Sequence, residues 1–150
     1  MRVVIQKVKH ASVTVNDEIT GKIDKGLLIF AGFENEDTKE DLEWMAGKIT
    51  NMRIFNDEND KMNLSLKDVS GGILIVSQFT LHASTKKGNR PSFIYSADPA
   101  VAEKLYTDFI EITEKTSGIK PETGIFGAMM QVDLCNDGPV TINIDSKNKE

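Results

Sequence analysis

Three short segments hold polar or conformationally special residues where a purely structural chain has little use for them. Ser77-Gln78-Phe79-Thr80-Leu81 places two hydroxyls and an amide at the end of an apolar run. There an unbonded buried polar group costs roughly 1–3 kcal/mol, so strand ends of this kind tend to line sites. Gly124-Ile125-Phe126-Gly127-Ala128-Met129-Met130 joins two glycines to soft apolar side chains. That composition suits close backbone approach or plain packing, and packing is the expectation from composition. Asn136-Asp137-Gly138-Pro139 is a turn sequence with glycine before proline, and its generic expectation is an ordinary trans turn. Thr80 is the obvious side-chain nucleophile, but a hydroxyl needs a neighbouring base. His82, two residues on, has no assured contact with it along an extended segment, and is expected to be a loop histidine.

The usual catalytic kits are missing. There is no GxxxxGK followed by Ser or Thr, no GxGxxG after a strand, no GxSxG and no HExxH. Two histidines and a single cysteine, Cys135, exclude an intrachain disulfide and leave no convincing metal site, so neither metal nor other cofactor is expected. The net charge of −5 argues against a broadly nucleic-acid-binding surface. Its distribution is uneven: residues 1–16 carry Arg2, Lys7 and Lys9, and residues 69–97 carry Lys86, Lys87 and Arg90, while all 23 acidic residues lie elsewhere. A polyanion would be repelled by most of the surface and, if the fold brings the two basic segments together, admitted at one place. The apolar run at the start is interrupted by charge, and no stretch approaches a membrane-spanning length, so a cytoplasmic protein with no signal peptide and no membrane partner is expected.

The elements that must position these segments are short strands broken by turns. Val3, Ile5, Val8, Val13 and Val15 form a β-branched, partly alternating pattern that turns at Asn16-Asp17 into ITGKI, a hairpin. GLLIFAGF (26–33) is an apolar run of strand length, as a buried strand is, and GGILIVSQFTL (71–81) reads as a second buried strand. Thr38, three residues before Asp41, opens a helix over about 38–52 with Leu42, Met45, Ile49 and Met52 inward. RIF, the turn-rich NDEND and KMNLSL form another hairpin. Residues 82–97 make a long loop, a class that tends to be functional. Asp98 as N-cap and Pro99 open a second helix with Ala102, Leu105, Phe109 and Ile112 inward, ending before Gly118. The chain closes with a strand pair around NDGP and a tail, 146–150, expected to fray. The order points to one α+β domain, 1–150, with a barrel-like, mostly antiparallel sheet and two main helices.

SQFTL at 77–81 and NDGPVT at 136–141, with ASVTV at 11–15, KMNLSL at 61–66, NRPSF at 89–93 and GIFGAMMQVDL at 124–134, carry a resemblance. Over essentially its whole length the sequence resembles the D-aminoacyl-tRNA deacylase family. The resemblance implies an enzyme that cleaves the ester joining a D-amino acid to the terminal adenosine of tRNA, and that also removes mischarged glycine. It implies that family's fold, a homodimer of barrel-like subunits with sites at their interface, and no metal in the reaction. By the same resemblance Gly138-Pro139 is held cis and inserted into the partner subunit's site to exclude L-amino acids. Ser77, Gln78, Phe79 and Thr80 form the wall around the ester, and Phe126, Ala128 and Met129 shape the adenosine side. Backbone N–H groups near Phe79 and Thr80 stabilise the oxyanion, the RNA's own 2′-hydroxyl stands in for a protein base, and Lys86, Lys87 and Arg90 meet tRNA. Lys7 departs from the arginine that members often carry there, keeping the charge but losing the planar donor fork. Two alternatives stay open: a related deacylase that admits small L-amino acids, and a non-catalytic nucleic-acid-binding protein.

Overall fold

The computed structural model describes all 150 residues. In chain order the elements are β1 (Arg2–Val15), β2 (Glu18–Ile23), β3 (Gly26–Gly32), α1 (Lys39–Asn51), β4 (Phe55–Asn56), β5 (Met62–Leu64), β6 (Gly72–Ser77), α2 (Pro99–Ser117), β7 (Glu122–Thr123) and β8 (Gln131–Asp145). β1 is the spine. One edge pairs antiparallel with β8 from Arg2↔Asp145 to Thr14↔Gln131. The other pairs antiparallel with β3 over residues 2–8 and with β2 over 11–15. Asn16 and Asp17, at φ 49° and 63°, make the tight turn, a conformation that these two residue types tolerate.

Beyond β3 the sheet changes sense, because β6 and then β7 join in parallel. Parallel neighbours need a crossover, and α1 with the β4–β5 hairpin supplies the first, α2 the second. The result is a mixed sheet, antiparallel around β1 and parallel beyond β3, curled into a nearly closed barrel. Its two ends approach at Gly21 of β2, where a Cβ would lie 2.5 Å from the Thr123 carbonyl oxygen. Alternate residues of β3 and β6 serve two cores. Leu27, Ile29, Ala31, Ile73 and Ile75 pack under the helices with Val3, Ile5, Leu42, Met45 and Phe109. Leu28, Leu74 and Val76 fill the barrel with Val8, Ala11, Val13 and Ile23.

The capping box at Thr38 and Asp41 forms as the sequence predicts: Asp41 N–H donates to Thr38 Oγ1 at 3.4 Å and Thr38 N–H to Asp41 Oδ2 at 2.9 Å. At α2, Asp98 stands at the N-cap position but its side chain makes no capping bond. The buried stripe of α2 is Ala102, Tyr106, Phe109, Thr113 and Ser117. Leu105 and Ile112, expected inward, line the groove between α1 and α2 because the helix packs on its neighbour as well as on the sheet. Three further expectations are corrected. The second buried strand stops at Ser77, and 79–82 is a 3-10 turn. The terminal segment is no hairpin: both its halves pair with β1, and residues 137–140 bulge out opposite Lys7. The tail does not fray at its start, since Ser146 N–H donates to the Met1 carbonyl at 2.9 Å and Lys147 Nζ reaches Asp41 Oδ2 at 2.6 Å.

Candidate functional site

The parallel ladder between β3 and β6 ends at Ala31↔Ser77, and Gln78 N–H adds one last bond to the Ala31 carbonyl at 2.8 Å. The chain then folds back over the strand end. Gly32 permits this, since a Cβ there would sit 2.7 Å from the Gln78 carbonyl oxygen and 3.1 Å from the His82 ring. The turn presents Phe79, 57% exposed, whose ring meets Phe93 edge-on at 5.1 Å and 72°. Ser96 Oγ donates to the Phe79 carbonyl at 2.9 Å, tying the long loop back to the turn.

Opposite lies the 124–130 segment, which enters from β7. Its first residue, Gly124, donates to the Ile75 carbonyl at 3.4 Å, and the same carbonyl accepts the Tyr106 hydroxyl at 2.8 Å. The Tyr106 ring in turn supports Phe126 at 5.8 Å. Burial pushes the Tyr106 hydroxyl pKa well above its ordinary value, so it remains a donor. Gly127 takes φ 75°, the left-handed region that favours glycine, which lets the segment double back to Ala128. Between the two walls is a cavity of about 740 Å³. Ser77, Gln78 and Phe79 line one side and Phe126, Ala128 and Met129 the other, so two segments about fifty residues apart meet at one cavity.

Thr80 is exposed beside this cavity rather than lining it, and its Oγ1 accepts from Gln78 Nε2 at 2.6 Å. No base attends it. His82 is buried, and its Nδ1 lies 3.3 Å from Glu34 Oε1 but at an angle that makes no hydrogen bond; neither ring nitrogen bonds Thr80 or any other group. As the first residues of a 3-10 turn, Phe79 and Thr80 have no preceding turn to receive their N–H groups.

Gly138 and Pro139 lie away from the cavity of their own chain, exposed on the β8 bulge, and the peptide between them is cis. The base of the bulge is clasped: Asn136 Nδ2 donates to Gln6 Oε1 and, at 3.1 Å, to Thr141 Oγ1, while Val140 N–H donates to Asn136 Oδ1 at 3.0 Å. Lys86, Lys87 and Arg90 are exposed at the tip of the loop that follows the 79–82 turn, beyond a bridge between Ser84 and Ser92. Sequence reasoning missed Phe33, Phe93, Ser96, Pro99 and Tyr106. Phe93, within NRPSF, and Ser96 carried a signal through the long 82–97 loop; the others read as ordinary strand-end and helix residues.

A family model described as D-Tyr-tRNA(Tyr) deacylase matches residues 4–145. A protein of Flavobacterium johnsoniae named D-aminoacyl-tRNA deacylase is 60% identical over 150 residues, covering 100% of both chains. One of the same name from Thermosipho africanus is 55% identical over 147 residues, covering 98% of both. Among solved structures, a c-Myc DNA unwinding element binding protein superposes with TM-score 0.91 at 42% identity, covering 97% of this chain and 98% of that one. A probable eukaryotic D-amino acid tRNA deacylase superposes with TM-score 0.83 at 20% identity, covering 95% and 97%, a likeness of fold alone.

Proposed function

This chain belongs to the D-Tyr-tRNA(Tyr) deacylase family, and from that membership we propose that it hydrolyses the ester between a D-amino acid and the terminal adenosine of tRNA. The observation that carries the reading is the cavity between the 79–82 turn and the 124–130 segment, polar on one wall and apolar on the other. Phe126, Ala128 and Met129 offer the adenine an apolar seat. Ser77, Gln78 and Phe79 surround the ester, with Thr80 beside them. Water adds to the ester carbonyl, the oxyanion accepts from the N–H groups at Phe79 and Thr80, and the bond from acyl carbon to the ribose 3′-oxygen breaks. The water supplies hydroxyl to the acid and a proton to the ribose oxygen. The neighbouring 2′-hydroxyl relays that proton, a role the reading gives to RNA because Thr80 has no base.

Chirality is read across subunits in this proposal. The Gly138-Pro139 bulge enters the cavity of a second copy, leaving no space where an L side chain would project. Glycine has no side chain to refuse and is cleaved too. Phe79 at 57% and Met129 at 92% exposed are large apolar groups at the cavity mouth that a homodimer would cover. Lys86, Lys87 and Arg90 hold the tRNA phosphates, and the reaction needs no cofactor. Translation places such an enzyme in the cytoplasm.

Incubation with D-tyrosyl-, L-tyrosyl- and glycyl-tRNA tests this: the first and third esters are cleaved and the second survives. Cleavage of L-tyrosyl-tRNA at the D rate would defeat the chirality filter. The likeness to a DNA unwinding element binding protein favours a second reading, nucleic-acid binding without catalysis. All three esters surviving would establish it over the first.

A further inference from the structure

A second groove, of about 830 Å³, lies on the other side of the 79–82 turn from the cavity. The turn is their shared wall: Phe79 lines the cavity and Leu81 lines the groove. Arg2 fixes that wall, its Nη1 donating to the Leu81 carbonyl at 3.3 Å and its Nε to Asp145 Oδ2 at 2.9 Å. Across the groove, α1 presents Trp44, half-buried, with two ammonium groups over its ring, Lys149 Nζ at 4.6 Å from the centroid and Lys48 Nζ at 5.6 Å. Of the two carboxylates in the groove, Asp145 is matched by Arg2 and Glu150 accepts from Asn148 Nδ2 at 3.0 Å, so neither lysine has a carboxylate within ion-pair distance.

An aromatic face with unmatched ammonium groups beside it is what a flexible polyanion carrying flat bases needs. We propose that this groove binds the single-stranded 3′ end of the tRNA, with one of the nucleotides that precede the terminal adenosine stacked on Trp44 and its flanking phosphates on Lys48 and Lys149. The inference rests on the deacylase reading, because it is the terminal adenosine in the adjoining cavity that brings those nucleotides to the groove. A stacked base replaces the surface cation–π contacts, and each ammonium keeps its charge satisfied by moving to a phosphate.

Trp44 is the sole tryptophan, so its emission reports this site directly. Titration of the intact protein with an uncharged RNA tetranucleotide ending in CCA quenches that emission, whereas adenosine alone, seated in the cavity, does not. With two phosphates engaged on a single strand, affinity weakens roughly sevenfold between 50 and 200 mM salt. Replacing both lysines, Lys48→Ala with Lys149→Ala, abolishes most of that dependence. Trp44→Leu raises KM for D-tyrosyl-tRNA about 5- to 100-fold with little change in kcat, and Trp44→Phe recovers most of the loss. Unchanged emission at tetranucleotide concentrations that inhibit hydrolysis overturns the proposal, as does a salt slope indifferent to the two lysines. Failure of the enzymatic reading is a different result: the tetranucleotide quenches Trp44 while no ester is cleaved.

Discussion

Tyr106→Phe removes one oxygen from a buried ring that is only 5% exposed, and its consequences can be worked from three contacts. The hydroxyl donates to the Ile75 carbonyl at 2.8 Å, and the other donor to that carbonyl, Gly124 N–H, is long at 3.4 Å. A buried neutral hydrogen bond contributes about 0.5–1.5 kcal/mol net, and a carbonyl left with only a long partner puts the cost near the top of that range. The ring stays, so Phe126 keeps its neighbour at 5.8 Å and no large cavity opens. For a chain of this size, Tm then falls by about 3–6 °C. Because the clamp lies where the 124–130 segment departs, KM for D-tyrosyl-tRNA rises several-fold while kcat moves less. Burial raises the Tyr106 pKa above its ordinary 10.0, so the native state resists an ionisation that the unfolded chain undergoes. Its contribution is complete below that ordinary value and is lost as pH rises through it, so the stability gap between wild type and variant narrows in alkali. Thermal or urea melts at pH 7 and above pH 10, with steady-state kinetics at pH 7, measure all three effects. A gap under about 0.3 kcal/mol at pH 7, or one that holds constant into alkali, refutes the assigned clamp.

Asp41→Asn removes the carboxylate of the capping box and the partner of Lys147. Burial pushes that carboxyl pKa up, but bonds from the Lys147 ammonium and the Thr38 N–H outweigh it and hold it well below the carboxylate range. Its stabilisation is therefore present above about pH 4 and lost as pH falls further, so a deficit of about 1–2 kcal/mol at pH 7 shrinks toward pH 3; an equal deficit at both would refute the pairing. Gly138→Ala sets a Cβ 2.8 Å from Val140 Cγ2 at φ 131°, so D-tyrosyl-tRNA cleavage falls at least about tenfold while Tm, for an exposed bulge, falls by no more than about 6 °C; an undiminished rate would remove the bulge from the site. Thr80→Ala retains substantial activity, and a substrate ending in 2′-deoxyadenosine loses far more; the opposite ranking, or a trapped acyl-threonine, would restore covalent catalysis.

Much of the fold was legible because local chemistry dictates it. Asn16-Asp17 accept positive φ and so mark the hairpin, Thr38 and Asp41 satisfy each other's backbone and so mark a helix start, and GLLIFAG and GILIV are apolar at every position because both their faces are buried. The polar strand end at Ser77-Gln78 and the soft segment at 126–129 were visible as anomalies for the same reason. What the sequence left open depends on partners distant along the chain. SQFTL reads as strand throughout, yet it turns after Ser77 because the neighbouring strand ends at Gly32 and leaves no ladder to continue. NDGP reads as a hairpin turn, yet β1 is long enough to pair with both flanking segments and push residues 137–140 outward. Tyr106 and Trp44 each sit in a helical pattern with no local mark of use. A hydroxyl finding Ile75, or an indole facing a groove shared with Leu81, follows from where the helices land on the sheet, and that depends on the summed packing of both cores rather than on any spacing within one segment.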